Sequence, residues 1–77
     1  MNQVKEIKDG NRLVYSEVFE TYNQKLYQYI YRYTQSPWLA EETVQLTFIR
    51  LWEKRETLSE THDISAQLFR IAKSTVI

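Results

Sequence analysis

The chain has 77 residues, is formally neutral with ten Lys+Arg against ten Asp+Glu, and contains one Gly, one Pro and no Cys. That length holds one domain with a thin core. The absence of cysteine excludes disulfide scaffolds, thiolate metal sites and thiol nucleophiles, and two strong turn formers are too few for a many-stranded β fold. With 43 % hydrophobic and 26 % charged residues, no apolar run near the ~20 residues of a bilayer-spanning helix, and no basic start followed by an apolar stretch, the expectation is a soluble intracellular all-α domain with no membrane segment.

Turn signals fall at Asp9-Gly10-Asn11, at Ser36-Pro37 and across 57–63, which predicts a compact three- to four-helix bundle. The first helix is short, over 3–8, and Gly10 supplies the positive φ that ends it. The second spans 12–35 behind Asn11 as N-cap. Its inward stripe is Tyr15, Val18, Phe19, Tyr22, Leu26, Tyr29, Ile30 and Tyr33, at helical steps of three and four. Tyr27 and Tyr31 sit off that stripe, one turn apart, either as a contact patch or as ordinary half-exposed tyrosines.

The third helix starts at Ser36-Pro37, a side-chain acceptor followed by a residue suited to the first helical position. It is expected to end near Glu56, with Ala40, Val44, Phe48, Leu51 and Trp52 facing inward. A second stripe lies about a quarter-turn away: Trp38, Glu42, Gln45, Ile49, Glu53 and Glu56, with Leu46 on its margin. An apolar strip bordered by carboxylates suits docking against basic partner helices. The alternative is that Ile49 and Leu46 pack on the first helix while the glutamates are solvated.

The stretch 57–63 is a polar loop rich in hydroxyls. Such a loop either presents hydroxyl and backbone groups to an extruded base or simply connects two helices. The fourth helix follows Asp63, with Ile64, Leu68, Ile71, Ala72 and Thr75 facing inward. It offers Ser65, Gln67, Arg70, Lys73 and Ser74 as polar side chains. Arg70 and Lys73 are the only charges from Ile64 onward, at a spacing that straddles a phosphate backbone or merely solvates a surface. The helix is expected to run uncapped to Ile77, so the chain reads as a fragment of a longer protein. Catalysis finds no support: His62 is the only histidine, Glu41 and Glu42 diverge around their helix, and no phosphate-cradling glycine loop or metal-ligand spacing is present. No cofactor is expected.

Three stretches carry a family resemblance. Ala40-Glu41-Glu42-Thr43-Val44-Gln45-Leu46-Thr47-Phe48-Ile49-Arg50-Leu51-Trp52 resembles the A-E-D-x-V-Q-(E/D)-x-F-x-x-(L/A/V)-(W/Y) pattern of region 2 in bacterial sigma-70 family factors of the extracytoplasmic-function (ECF) type. Phe19, Tyr22, Leu26, Tyr27 and Tyr29 resemble that family's opening helix, and Leu68-Phe69-Arg70-Ile71-Ala72 resembles its L-(F/Y)-R-I-A segment. The resemblance implies a non-enzymatic transcription-initiation domain. Glu42, Gln45, Leu46, Ile49 and Glu53 would bind the basic clamp helices of the RNA polymerase β′ subunit. Leu58, Ser59, Glu60 and Thr61 would surround an unstacked base of the promoter minus-ten non-template strand, with Leu58 at the pocket wall. Ser65, Arg70, Lys73 and Ser74 would face DNA, and an anti-sigma factor is an implied regulatory partner. Three departures stand out. Leu46 replaces the usual acid, Ser74 replaces a common Asn, and the loop has no aromatic residue.

Overall fold

The computed structural model describes residues 2–76, which form four α-helices and one 310 turn, with no strand among them. Helix α1 spans Gln3–Lys8, α2 Arg12–Thr34, α3 Pro37–Glu53 and α4 Ile64–Thr75, with the 310 turn at Arg55–Thr57. Each helix starts on a side-chain cap: Asn2, Asn11, Ser36 and Asp63 all accept from backbone N–H groups of the first turn. These caps satisfy donors that a helix end leaves unpaired, each stabilising its helix by about 1 kcal/mol. Gly10 adopts φ +87° and closes α1, with the Asn11 N–H donating to the Glu6 carbonyl at 3.0 Å.

Helices α2 and α3 form an antiparallel hairpin, and α4 packs chiefly on α3. The core comprises Val4 and Ile7 of α1, Val14, Val18, Leu26 and Ile30 of α2, Ala40, Val44, Phe48 and Leu51 of α3, and Ile64, Leu68 and Ala72 of α4, closed by Leu58 of the loop. Full burial of each large aliphatic side chain is worth about 1.5–3 kcal/mol.

Several sequence expectations need correction. Helix α3 stops at Glu53 rather than near Glu56, because the chain tightens into the 310 turn, held by Thr57 Oγ1 donating to the Lys54 carbonyl at 2.7 Å. Helix α4 stops at Thr75, and Val76 caps it in an extended conformation. The expected extension to Ile77 lies outside the described residues. Phe19 and Tyr33, assigned to the inward stripe, are 39 % and 62 % exposed. Phe19 meets Phe48 edge-on at the rim, and Tyr33 meets Tyr29. For Tyr33 the cause is length: α2 has 23 residues against 17 in α3 and 12 in α4, so its last turn overhangs its partners, whereas Phe19 lies mid-helix at the edge of the α2–α3 seam. Trp52 is half-buried, at the margin of the core it was expected to join.

Candidate docking and nucleic-acid surfaces

Helix α3 presents opposite sides to different surroundings: with Thr43 and Thr47 buried, the inner and outer stripes lie about half a turn apart rather than the expected quarter-turn. Thr43 and Thr47 complete its buried side, and the Thr47 hydroxyl donates to the Thr43 carbonyl at 2.6 Å, which permits its full burial. Turned away from the core, Ile49 is 49 % exposed, Leu46 43 % and Trp38 68 %. Gln45 and Glu53 are exposed beside them and Glu42 is half-buried. Ile49 and Leu46 are thus not covered by α1, which packs on α2 and on the 310 turn.

This strip continues into a shallow groove of about 430 Å³ lined by Arg12, Tyr15, Ser16, Ile49, Trp52 and Glu53. Its floor is an aromatic stack. Tyr15 and Trp52 have ring centroids 4.8 Å apart, and the Tyr15 hydroxyl donates to the Phe48 carbonyl at 2.7 Å. Burial raises the Tyr15 phenol above its ordinary range. The Arg55 guanidinium lies over the Trp52 ring at 4.3 Å and that of Arg12 at 5.8 Å. Sequence patterning alone does not identify this groove, because Arg12 and Trp52 are 40 positions apart. A second shallow pocket, lined by Phe19, Asn23, Tyr27, Glu41, Val44 and Gln45, follows the same α2–α3 seam. Further along α2, the Tyr27 and Tyr31 rings stack at 6.2 Å.

The loop between the 310 turn and α4 is braced from two sides. From α1, Asn2 Nδ2 donates to the Glu60 carbonyl at 3.2 Å, and Lys8 pairs with the Glu60 carboxylate at 3.4 Å. From α4, the amide of Gln67 bonds the backbone of Ser59 and His62. Ser59 is half-buried, while Glu60, Thr61 and His62 are exposed. Leu58, expected to offer a wall for a base, is only 6 % exposed. Its side chain belongs to the core, so a base has little of it to stack on. What remains accessible borders a cavity of about 440 Å³ lined by Arg50, Glu53, Lys54, Thr57, Leu58, Ile71 and Ser74. This cavity brings Leu58 and Ser74 together, joined by the unanticipated cations Arg50 and Lys54.

On α4, Arg70, Lys73 and Ser74 are exposed, and neither Arg70 nor Lys73 forms an ion pair among the described residues. The Ser74 hydroxyl donates back to the Ile71 carbonyl at 2.9 Å. Ser65 is half-buried and its hydroxyl is bound to the Asp63 carboxylate at the helix cap. Ser65 is thus engaged in capping, while Arg70 and Lys73 remain unengaged. No cluster of three or more His, Cys, Asp or Glu side chains suited to a metal ion occurs among the described residues. No helix among them is long and apolar enough to cross a membrane.

The family model for sigma-70 region 2 matches residues 18–77, well over half of the chain. The chain belongs to the sigma-70 region 2 family. The ECF RNA polymerase sigma factor SigW of Bacillus subtilis (strain 168) is 28 % identical over 75 residues, covering 97 % of this chain and 40 % of that protein. The chain therefore spans about two fifths of the length of the curated relative it matches. No solved structure matches it. The all-helical architecture is that of a region 2 domain. The family match begins within α2, whereas the likeness to SigW is long enough to take in most of α1 as well.

Proposed function

We propose that this region 2 domain is the polymerase-binding and promoter-opening part of an ECF sigma factor, a binding module that performs no catalysis. The observation that carries the reading is the double-sided α3. Ala40, Val44, Phe48 and Leu51 are sealed in the core, while Leu46 and Ile49 stand 43 % and 49 % exposed among Glu42, Gln45 and Glu53. An apolar strip with carboxylates along it complements two basic clamp helices of the polymerase β′ subunit. The aliphatic side chains bury area and the acids set register and orientation. Leu46 makes this contact more apolar than the usual acid would.

The loop at 58–61 and the exposed side of α4 then meet the promoter minus-ten element. Ser59, Glu60 and Thr61 surround an unstacked base of the non-template strand, while Arg70 and Lys73 neutralise phosphates. Capture of that base offsets an unstacking cost of about a few kcal/mol and so favours the melted promoter. Such a domain works in the cytoplasm, at the nucleoid when bound to polymerase. It belongs to a longer, two-domain factor, with an anti-sigma factor as its regulatory partner.

The test separates the two surfaces. Thr61→Ala and Arg70→Ala are expected to lower promoter opening by about 1–2 kcal/mol each while β′ binding stays at the wild-type level. Glu42→Lys is expected to weaken β′ binding itself. Loss of β′ binding by Thr61→Ala, or full promoter opening by Arg70→Ala, contradicts the division of labour.

A further inference from the structure

Gln67 is 5 % exposed, one of three buried polar side chains among the described residues and the only one that carries an amide rather than a hydroxyl. All of its directed polar capacity goes to the loop. Oε1 accepts the Ser59 N–H at 2.8 Å, and Nε2 donates to the Ser59 carbonyl at 2.8 Å and the His62 carbonyl at 3.0 Å. The amide thus pairs with both backbone groups of Ser59 as a neighbouring strand would, and its nitrogen also reaches the His62 carbonyl. The loop itself has no Gly or Pro to bias its path, so this buried amide does what turn chemistry does elsewhere.

With those backbone groups satisfied inward, three side chains gather outward. Ser59 Oγ lies 2.8 Å from Thr61 Oγ1 and 2.9 Å from His62 Nδ1, and Thr61 Oγ1 lies 3.2 Å from the same nitrogen. The Thr61 N–H also donates to Ser59 Oγ at 3.3 Å. Hydroxyl rotors of this kind exchange one partner for another, so the edge of a base can take over a bond already present in the free protein. A loop frozen in advance also loses little freedom when it binds.

We propose that Gln67 is a positioning residue that holds Ser59, Thr61 and His62 in one base-reading cluster, and that His62 contributes to the choice of base. This rests on the reading that the loop meets an unstacked minus-ten base. Gln67 touches no DNA in this account and acts through the loop backbone. It also ties the loop to the helix that carries Arg70, one turn further on.

The experiment uses polymerase holoenzyme assembled with the factor that carries this domain, and promoter DNAs bearing each of the four bases at every minus-ten position. Gln67→Met keeps an unbranched side chain and removes all three bonds; Gln67→Glu keeps the acceptor and removes both donors. Both are expected to lower opening of the preferred promoter about tenfold and to flatten base preference at one position to within about twofold, leaving other positions discriminating. His62→Ala is expected to change preference at that same position. In the 77-residue chain, amide exchange at Ser59 is expected to accelerate about tenfold or more in Gln67→Met. An equal loss across all promoter variants, as partial unfolding would produce, overturns the proposal, as does an unchanged preference profile. A wild-type holoenzyme indifferent to every minus-ten base overturns the underlying reading and the cluster with it.

Discussion

Tyr15 ties the core to the groove beside Ile49. Its ring packs on Phe48 and Trp52 and its hydroxyl donates to the Phe48 carbonyl. Tyr15→Phe is expected to reduce unfolding free energy by about 1 kcal/mol in urea titration, the net worth of one such bond. Burial holds the folded-state phenol above its unfolded value of 10.0. Its contribution is therefore complete below about pH 10 and is lost as pH climbs toward the folded-state value. Wild-type stability should fall across that alkaline range, and less steeply in Tyr15→Phe. Thr43, Thr47 and Gln67 were the core residues hardest to read. Positions 40, 43, 44, 47, 48 and 51 form an unbroken helical stripe, but hydroxyls at 43 and 47 disguise it. Gln67 reads as solvated because its partners, Ser59 and His62, belong to a loop whose path depends on the packed state.

Among the elements, helix starts were legible because Asn11, Ser36 and Asp63 are side-chain acceptors placed directly before apolar periodicity. Helix ends were less so. The sequence offers no glycine after α2, and Gln35 takes the left-handed conformation instead, at φ 54°. Gln35→Gly should raise the unfolding free energy by about 0.5–1 kcal/mol, measured by thermal or urea unfolding, since only glycine adopts that backbone without a Cβ penalty. Helix α1 looks dispensable by length, with 6 residues. Yet it buries Val4 and Ile7 and places Asn2 and Lys8 against Glu60. Ile7→Ala is expected to cost about 2–4 kcal/mol. If α1 braces the loop, promoter opening should fall in that variant at temperatures where the rest of the fold is intact.

Taken together, the helices measure 36 × 20 × 18 Å, and the long dimension is that of α2, about 34 Å at 1.5 Å per residue. The bundle separates two surfaces: the outer face of α3 with its groove, and the loop with the exposed side of α4. Zero net charge gives little general attraction to DNA, so the affinity of the domain alone for DNA should be low and, with only Arg70 and Lys73 at phosphates, only modestly dependent on salt. On the proposed function, recruitment then depends on the polymerase contact, and promoter reading follows once the domain is anchored. The order of the helices and the double-sided α3 were apparent from spacing. The groove beneath Arg12 and the braces on the loop depend on contacts between residues far apart in sequence, which periodicity does not encode. A calorimetric titration of the β′ clamp-helix fragment into this chain and into its Ile49→Asp variant decides whether the outer face of α3 is a docking surface. Because Ile49 is half-exposed, the variant should unfold within about 0.5 kcal/mol of wild type, yet bind at least about tenfold more weakly. Equal affinity for the two chains would contradict the account.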